Sequence, residues 1–123
     1  MFALSVALTV LLLAETLPSA AAGLTRYRAG LVRLDKLTRL GLLAGRNLWA
    51  ATTLGAIHLV GSAAVIGGLI NPAASVAGAA LEGAAFGWVL SRQLRHGDRG
   101  RELGAYLLFT SVALAVLVVN ALR

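Results

Sequence analysis

The chain has no cysteine, only two prolines and one methionine, and only five acidic side chains among its 123 residues. Without a thiol it can form no disulfide, hold no iron–sulfur cluster and perform no thiol redox chemistry of its own. Charge of either sign is scarce: 13% of the residues are Asp, Glu, Lys or Arg, against about 25% in an ordinary soluble domain, while 59% are apolar. Hydrocarbon is therefore a better solvent for this chain than water. In that setting the formal charge of +6 reads as the basic face of a membrane protein, not as a surface for nucleic acid. A glycine-rich phosphate loop, a GxSxG elbow and zinc-ligand spacing are also missing, so enzymatic turnover by the chain alone is not expected.

What the sequence has in abundance is long apolar stretches. Four windows, about Phe2–Gly23, Asn47–Ile70, Ala73–Ser91 and Leu103–Leu122, each meet or approach the ~20 residues a helix needs to cross a bilayer core. The expectation is an all-α membrane protein, an antiparallel bundle of four transmembrane helices forming one domain over residues 1–123. Ten of the eleven Lys and Arg fall on two connections, 24–46 and 92–102, and Arg123 is the other. With four spans these connections share one side, which the positive-inside rule makes cytoplasmic; both termini and the Asn71-Pro72 turn then face outward. Trp49, Trp88 and Tyr106 fall near the cytoplasmic ends of their spans, at headgroup depth. The first window also resembles a signal peptide with small residues at Ser19–Ala22. It lacks a basic n-region, however, and its loss would leave three spans, so a retained helix is expected.

The first connection has helical periodicity. Leu24, Tyr27, Leu31, Leu34 and Leu37 trace one face, with Arg26, Arg33, Lys36 and Arg39 mostly opposite and Asp35 placed to pair with Arg39. This predicts an amphipathic helix in the headgroup layer, where each cation gains about 1 kcal/mol near anionic lipid. Association of the spans needs small residues, because lipid offers no hydrophobic drive. Ser75, Ala79, Gly83, Gly87 and Ser91 form a ladder on the third span; Ala51 with Gly55 and Ala63 with Gly67 do so on the second. The ladder suits packing within the protomer or the seam of a homo-oligomer.

The few polar groups inside the spans lie at one depth. Glu15, His58 and Glu82 fall near the middle of the first three spans, and Thr110 and Ser111 in the middle of the fourth. An ionised carboxylate facing lipid there would cost at least ~2.5–3.5 kcal/mol, so Glu15, His58 and Glu82 are expected to face one another. Pro18 cannot donate to the Ala14 carbonyl, which predicts a kink or an end beside Glu15 and room for water or a ligand. Such a layer could bind a proton, a cation or a quinone carbonyl, or could be a static plug that fixes helix register. His96 lies in a connection, away from His58, which argues against haem ligation and against a two-His metal site.

The stretch LGAIHLVGSAAVIGGLINPAASVAGAALEGAAFGWVLSRQLRHGDRGRELGAYLLFTSVALAVLVV resembles the DoxX-like family of small bacterial membrane proteins. The likeness lies in a glycine-rich second span entering a short proline turn, and a small-residue third span closing on LRHGDRGRE before an aliphatic fourth. Residues 40–120 carry it. The resemblance implies a four-helix bundle in the bacterial cytoplasmic membrane, tied to quinone-linked redox systems, and assigns no role to Glu15, His58 or Glu82. The expected function is thus an accessory membrane subunit with a midplane pocket for a quinone or lipid, bounded by Glu15, His58, Glu82, Thr110 and Ser111. A redox partner would meet the basic cytoplasmic face. The alternatives are a small proton- or ion-coupled transporter with the same cluster as its ion site, and a purely structural scaffold.

Overall fold

The computed structural model describes residues 2–97 and 100–123; Arg99, one of the cations counted in the third connection, lies outside them. Four of the helices are long and apolar enough to cross a membrane: α1 (Phe2–Thr25), α3 (Leu48–Gly67), α4 (Pro72–Arg95) and α5 (Arg101–Leu122). A short α2 (Arg28–Thr38) and a single 3₁₀ turn (Leu42–Ala44) fill the first connection. The protein is an all-α, multi-pass membrane bundle. α4 runs about a turn beyond the apolar window, carrying Arg92 and Arg95 on its last turn, where cations complement the helix dipole. At its other end Asn71 caps the helix by accepting from the Ala73 amide at 3.2 Å, with Pro72 in the first turn. α1 does not end at Pro18 but passes through it to Thr25. Neighbouring helices support a proline inside a span in this way, and α1 has them on two sides.

The spans form a closed ring in the order α1, α3, α4, α5, and the α1–α5 seam is the thinnest of the four. Their inward faces repeat at three and four residues: Ser5, Thr9, Leu12, Thr16 and Ala20 on α1, and Ala51, Gly55, His58, Ser62 and Val65 on α3. α4 continues the pattern with Ser75, Ala79, Glu82, Phe86, Val89 and Gln93. This is the spacing of knobs-into-holes packing. The inside is richer in hydroxyls and amides than the outside, where Leu11, Leu59, Val60, Leu108, Leu114 and Val118 are exposed. In water that inversion would be an aggregation hazard; against acyl chains it is the favourable arrangement.

Close helix approach falls at Gly55, as expected for the second span, and at Gly78, which the four-residue ladder of the third span leaves out. A Cβ on Gly55 would stand 2.7 Å from the Leu24 amide nitrogen and 3.1 Å from the Ala20 carbonyl, so α1 and α3 touch through their backbones there. Gly78 likewise meets the Gly61 carbonyl at 2.7 Å where α3 crosses α4. Of the ladder, Ser75 and Ala79 are buried, but Gly83 meets only Ala113 of α5, Gly87 has open space and Ser91 is exposed. Ala63 is exposed too, and Gly67 has open space beside it. The reason is periodic: a strict four-residue stripe drifts around a helix, whereas alternating threes and fours stay on one face.

The two ends of the bundle differ. At the far end Arg123 donates to Ser5 at 3.3 Å, to Asn120 at 3.0 Å and to the Leu69 carbonyl at 3.3 Å, joining α1, α5 and the α3–α4 turn. Phe2 lies under the same guanidinium, with 5.2 Å to its ring centre. At the basic end Arg92 donates to the Thr38 carbonyl at 2.8 Å, and Leu37 and Leu42 are buried, so the first connection is docked onto the bundle. The Asp35 carboxylate accepts from the amides of Gly41 and Leu42 at 2.9 and 3.1 Å, turning the chain after α2. Gly55→Leu is expected to force α1 and α3 apart and to cost about 1–3 kcal/mol or more. Gly87→Ala, with no heavy atom within 4 Å of the added methyl among the described residues, should melt at or slightly above the parent. Thermal loss of helical circular dichroism in detergent measures both.

Candidate functional site

The centre of the bundle is a buried histidine–glutamate dyad. His58 of α3 and Glu82 of α4 face each other through Nδ1 and Oε2. Glu82 is wholly inaccessible and His58 only 6% exposed. Gly61, one turn from His58, makes the space: a methyl group there would strike the Glu82 carboxylate. Phe86 covers the imidazole, with ring centres 4.8 Å apart, and continues into Tyr106 and Phe109. Above the dyad, Ser62 donates to Thr16 at 2.7 Å and bonds α3 to α1 at the same depth. Because Glu82 engages Nδ1, Nε2 is the ring nitrogen left for a ligand.

His58 also lines a cavity of about 300 Å³ that extends from the dyad to the basic end. α1 contributes Glu15, Pro18 and Ser19; α2 closes it with Gly30, Leu31, Arg33 and Leu34; Val89 and Tyr106 complete the wall. Gly30 lets α2 lie on α1, since a Cβ there would stand 2.7 Å from the Ala22 methyl. Glu15 has two polar partners: Ser19 donates to its Oε1 at 3.4 Å, and Arg33 Nη1 is 3.6 Å from the same oxygen. Arg33 also reaches Glu102 of α5 at 3.4 Å and lies over the Tyr106 ring at 5.7 Å. Partial burial opposes the charge on Arg33, but Tyr106, Glu102 and Glu15 outweigh it and hold the guanidinium above its usual pKa. The cavity thus offers a permanent cation, a carboxylate, an imidazole nitrogen and a phenol along an otherwise apolar wall.

The five expected site residues separate into three groups. Glu15 and His58 share the cavity. Glu82 stands behind His58 and orients it. Thr110 and Ser111 do not join them: each hydroxyl donates at 2.7 Å to a carbonyl of its own helix, Tyr106 and Leu107 respectively. Mid-helix hydroxyls commonly bond back in this way. Ser111, moreover, is exposed. Neither residue lines the cavity that Glu15 and His58 share.

Arg33 and Tyr106 belong to the site although the sequence reading placed them elsewhere. Arg33 is expected on the polar face of the amphipathic segment, yet Gly30, Arg33 and Leu37 follow the three-four spacing of one helix face, with Leu34 beside Arg33. Tyr106 was assigned to the headgroup belt, where Trp49 and Trp88 are indeed exposed; it is only 7% exposed and packs edge-on to Phe86 and Phe109. Among the described residues no group of three or more His, Cys, Asp or Glu is disposed to hold a metal ion.

Removing one member of the dyad leaves its partner buried without a counterpart, whereas removing both leaves an apolar contact. His58→Leu alone is expected to cost about 3–5 kcal/mol, and the double change His58→Leu with Glu82→Leu to recover most of it. Equilibrium unfolding in mixed micelles reads the difference.

Comparison with known proteins adds no relative to this description: no family model, no curated protein and no solved structure matches the chain.

Proposed function

We propose that this chain is a membrane subunit of a quinone-linked redox system and that its cavity holds the head group of a quinone or of a chemically similar lipid. The observation that carries this reading is the joint presence of Glu15 and His58 on one largely apolar cavity beneath α2. Pockets for small ligands range over ~300–1,000 Å³ and combine apolar walls with a few convergent polar groups. At about 300 Å³ the volume suits a single substituted ring. Such a ring presents an oxygen at each end. His58 Nε2 and the Tyr106 hydroxyl can each bond an oxygen, and Glu15 can accept from a ring hydroxyl in the reduced form. Glu82 fixes the tautomer and direction of the imidazole, so a proton taken or given at Nε2 is matched by the carboxylate behind it.

The resemblance of residues 40–120 to the DoxX-like family points the same way, and under this proposal the protein sits in a bacterial cytoplasmic membrane with both termini outside. The basic end, with Arg26, Arg28, Lys36 and Arg95 exposed, would then be the cytoplasmic face and the place for a redox partner. A transporter needs an aqueous path from Glu15 to the opposite face. At that end Arg123, Ser5 and Asn120 tie the helix ends together, which favours a pocket over a through-path.

Purified protein in lipid nanodiscs, titrated with a tail-less benzoquinone, should bind it saturably. The double variant Glu15→Gln with His58→Phe should weaken that binding by at least about tenfold, the worth of one or two charge-assisted hydrogen bonds. Unchanged affinity in a folded double variant would remove the support for this reading.

A further inference from the structure

A second cavity, of about 260 Å³, opens between α1 and α5 and is lined by Leu11, Leu12, Ala14, Leu108, Phe109 and Val112. Its one charged wall residue is Glu15, which also lines the polar cavity. The two spaces are neighbours on either side of Glu15 and of a ring contact, since Phe109 of the groove packs against Tyr106 of the cavity at 5.3 Å between centres. The groove therefore runs along the thinnest helix seam of the bundle, at mid-span, and ends on the carboxylate of the head-group site. Exposed Leu11 and Leu108 place it among the surfaces that meet acyl chains.

We infer that this groove is the tail subsite and lateral entrance of the cavity, so that the ligand is an amphiphile with a ring or polar head and a hydrocarbon or isoprenoid chain. This rests on the head-group reading above and sharpens it. A ligand arriving from the bilayer meets the α1–α5 seam first, passes its head by Glu15 into the cavity, and leaves the first carbons of its chain against Leu12, Phe109 and Val112. An apolar groove alone would be filled by any lipid tail. Adjacency to a polar cavity across the shared Glu15 selects a molecule that has both parts.

The test compares the tail-less benzoquinone with the same ring carrying a decyl chain, on parent protein and on Ala14→Phe, in nanodiscs. Ala14 is exposed, so a phenyl group there fills the groove without entering the core; Leu108→Trp serves as a second filler. The ratio of affinities between parent and variant cancels the partitioning of the decyl compound into lipid. The expected result is that Ala14→Phe weakens the decyl compound about tenfold more than the tail-less ring, the equivalent of roughly two methylenes losing their contact. Equal effects on both compounds, or none on either, would overturn the tail subsite while leaving the head-group site standing. If the parent binds neither compound, the head-group reading fails first and the subsite falls with it.

Discussion

Everything in this structure follows from the cost of an unaccompanied charge in hydrocarbon. Glu15 and Glu82 lie well inside their spans, and neither is left facing lipid alone. Glu82 is enclosed against His58, and Glu15 is met by Ser19 and by a guanidinium lowered onto it from α2. The first solution consumes the bundle axis and uses Gly61 to make space. The second recruits a cation from outside the spans, and so brings α2 down as a roof. Between the two remains the space that can hold a ligand. The site is thus a by-product of how the charges had to be buried.

The same constraint explains why the interior is polar and the exterior is not. Helices in lipid gain nothing from hiding leucine, so the faces that meet are those with small side chains or with hydrogen bonds to exchange. The Gly23–Gly55 and Gly61–Gly78 crossings bring backbones together, and Ser62–Thr16 and Ser5–Asn120 add bonds across helix pairs. Aromatic side chains occupy the volume that small residues leave on the α4–α5 side, where Phe86 packs on the imidazole and Tyr106 and Phe109 pack on Phe86.

The number of spans, the Asn71-Pro72 turn, an ordered helix within the basic connection and the depth of the buried charges were all legible in the sequence. Each depends on a one-dimensional property: hydropathy, spacing or distance along a helix. What was not legible is azimuthal. Thr110 and Ser111 bond back to their own helix and do not line the cavity. Arg33 keeps 43% of its side chain exposed, as its charge suggests, yet from the face it shares with Leu34 and Leu37 it also reaches Glu15 and Glu102. Tyr106 was placed by distance from the end of its span, whereas its face is shared with Ala113 and Val116. The small-residue ladder holds only in part, at Ala51, Gly55, Ser75 and Ala79, because a period of four does not stay on one side of an α-helix. Alternating threes and fours along the spans mark Tyr106 and the Gly61–Gly78 crossing, and the same spacing along α2 marks Arg33.

One feature of the ring sets its mechanics. α1 and α5 make the thinnest seam, yet an arginine bridges them at two levels: Arg123 through Ser5 and Asn120 at one extremity, and Arg33 between Glu15 at mid-span and Glu102 near the other. Two lips stitched at two points form a buttonhole. Were a ligand to enter there as proposed, the slit would have to widen between the stitches, which would keep the helices aligned and the loops undisturbed. A bulky molecule slipping through would leave no trace in topology, only a transient bulge at mid-membrane.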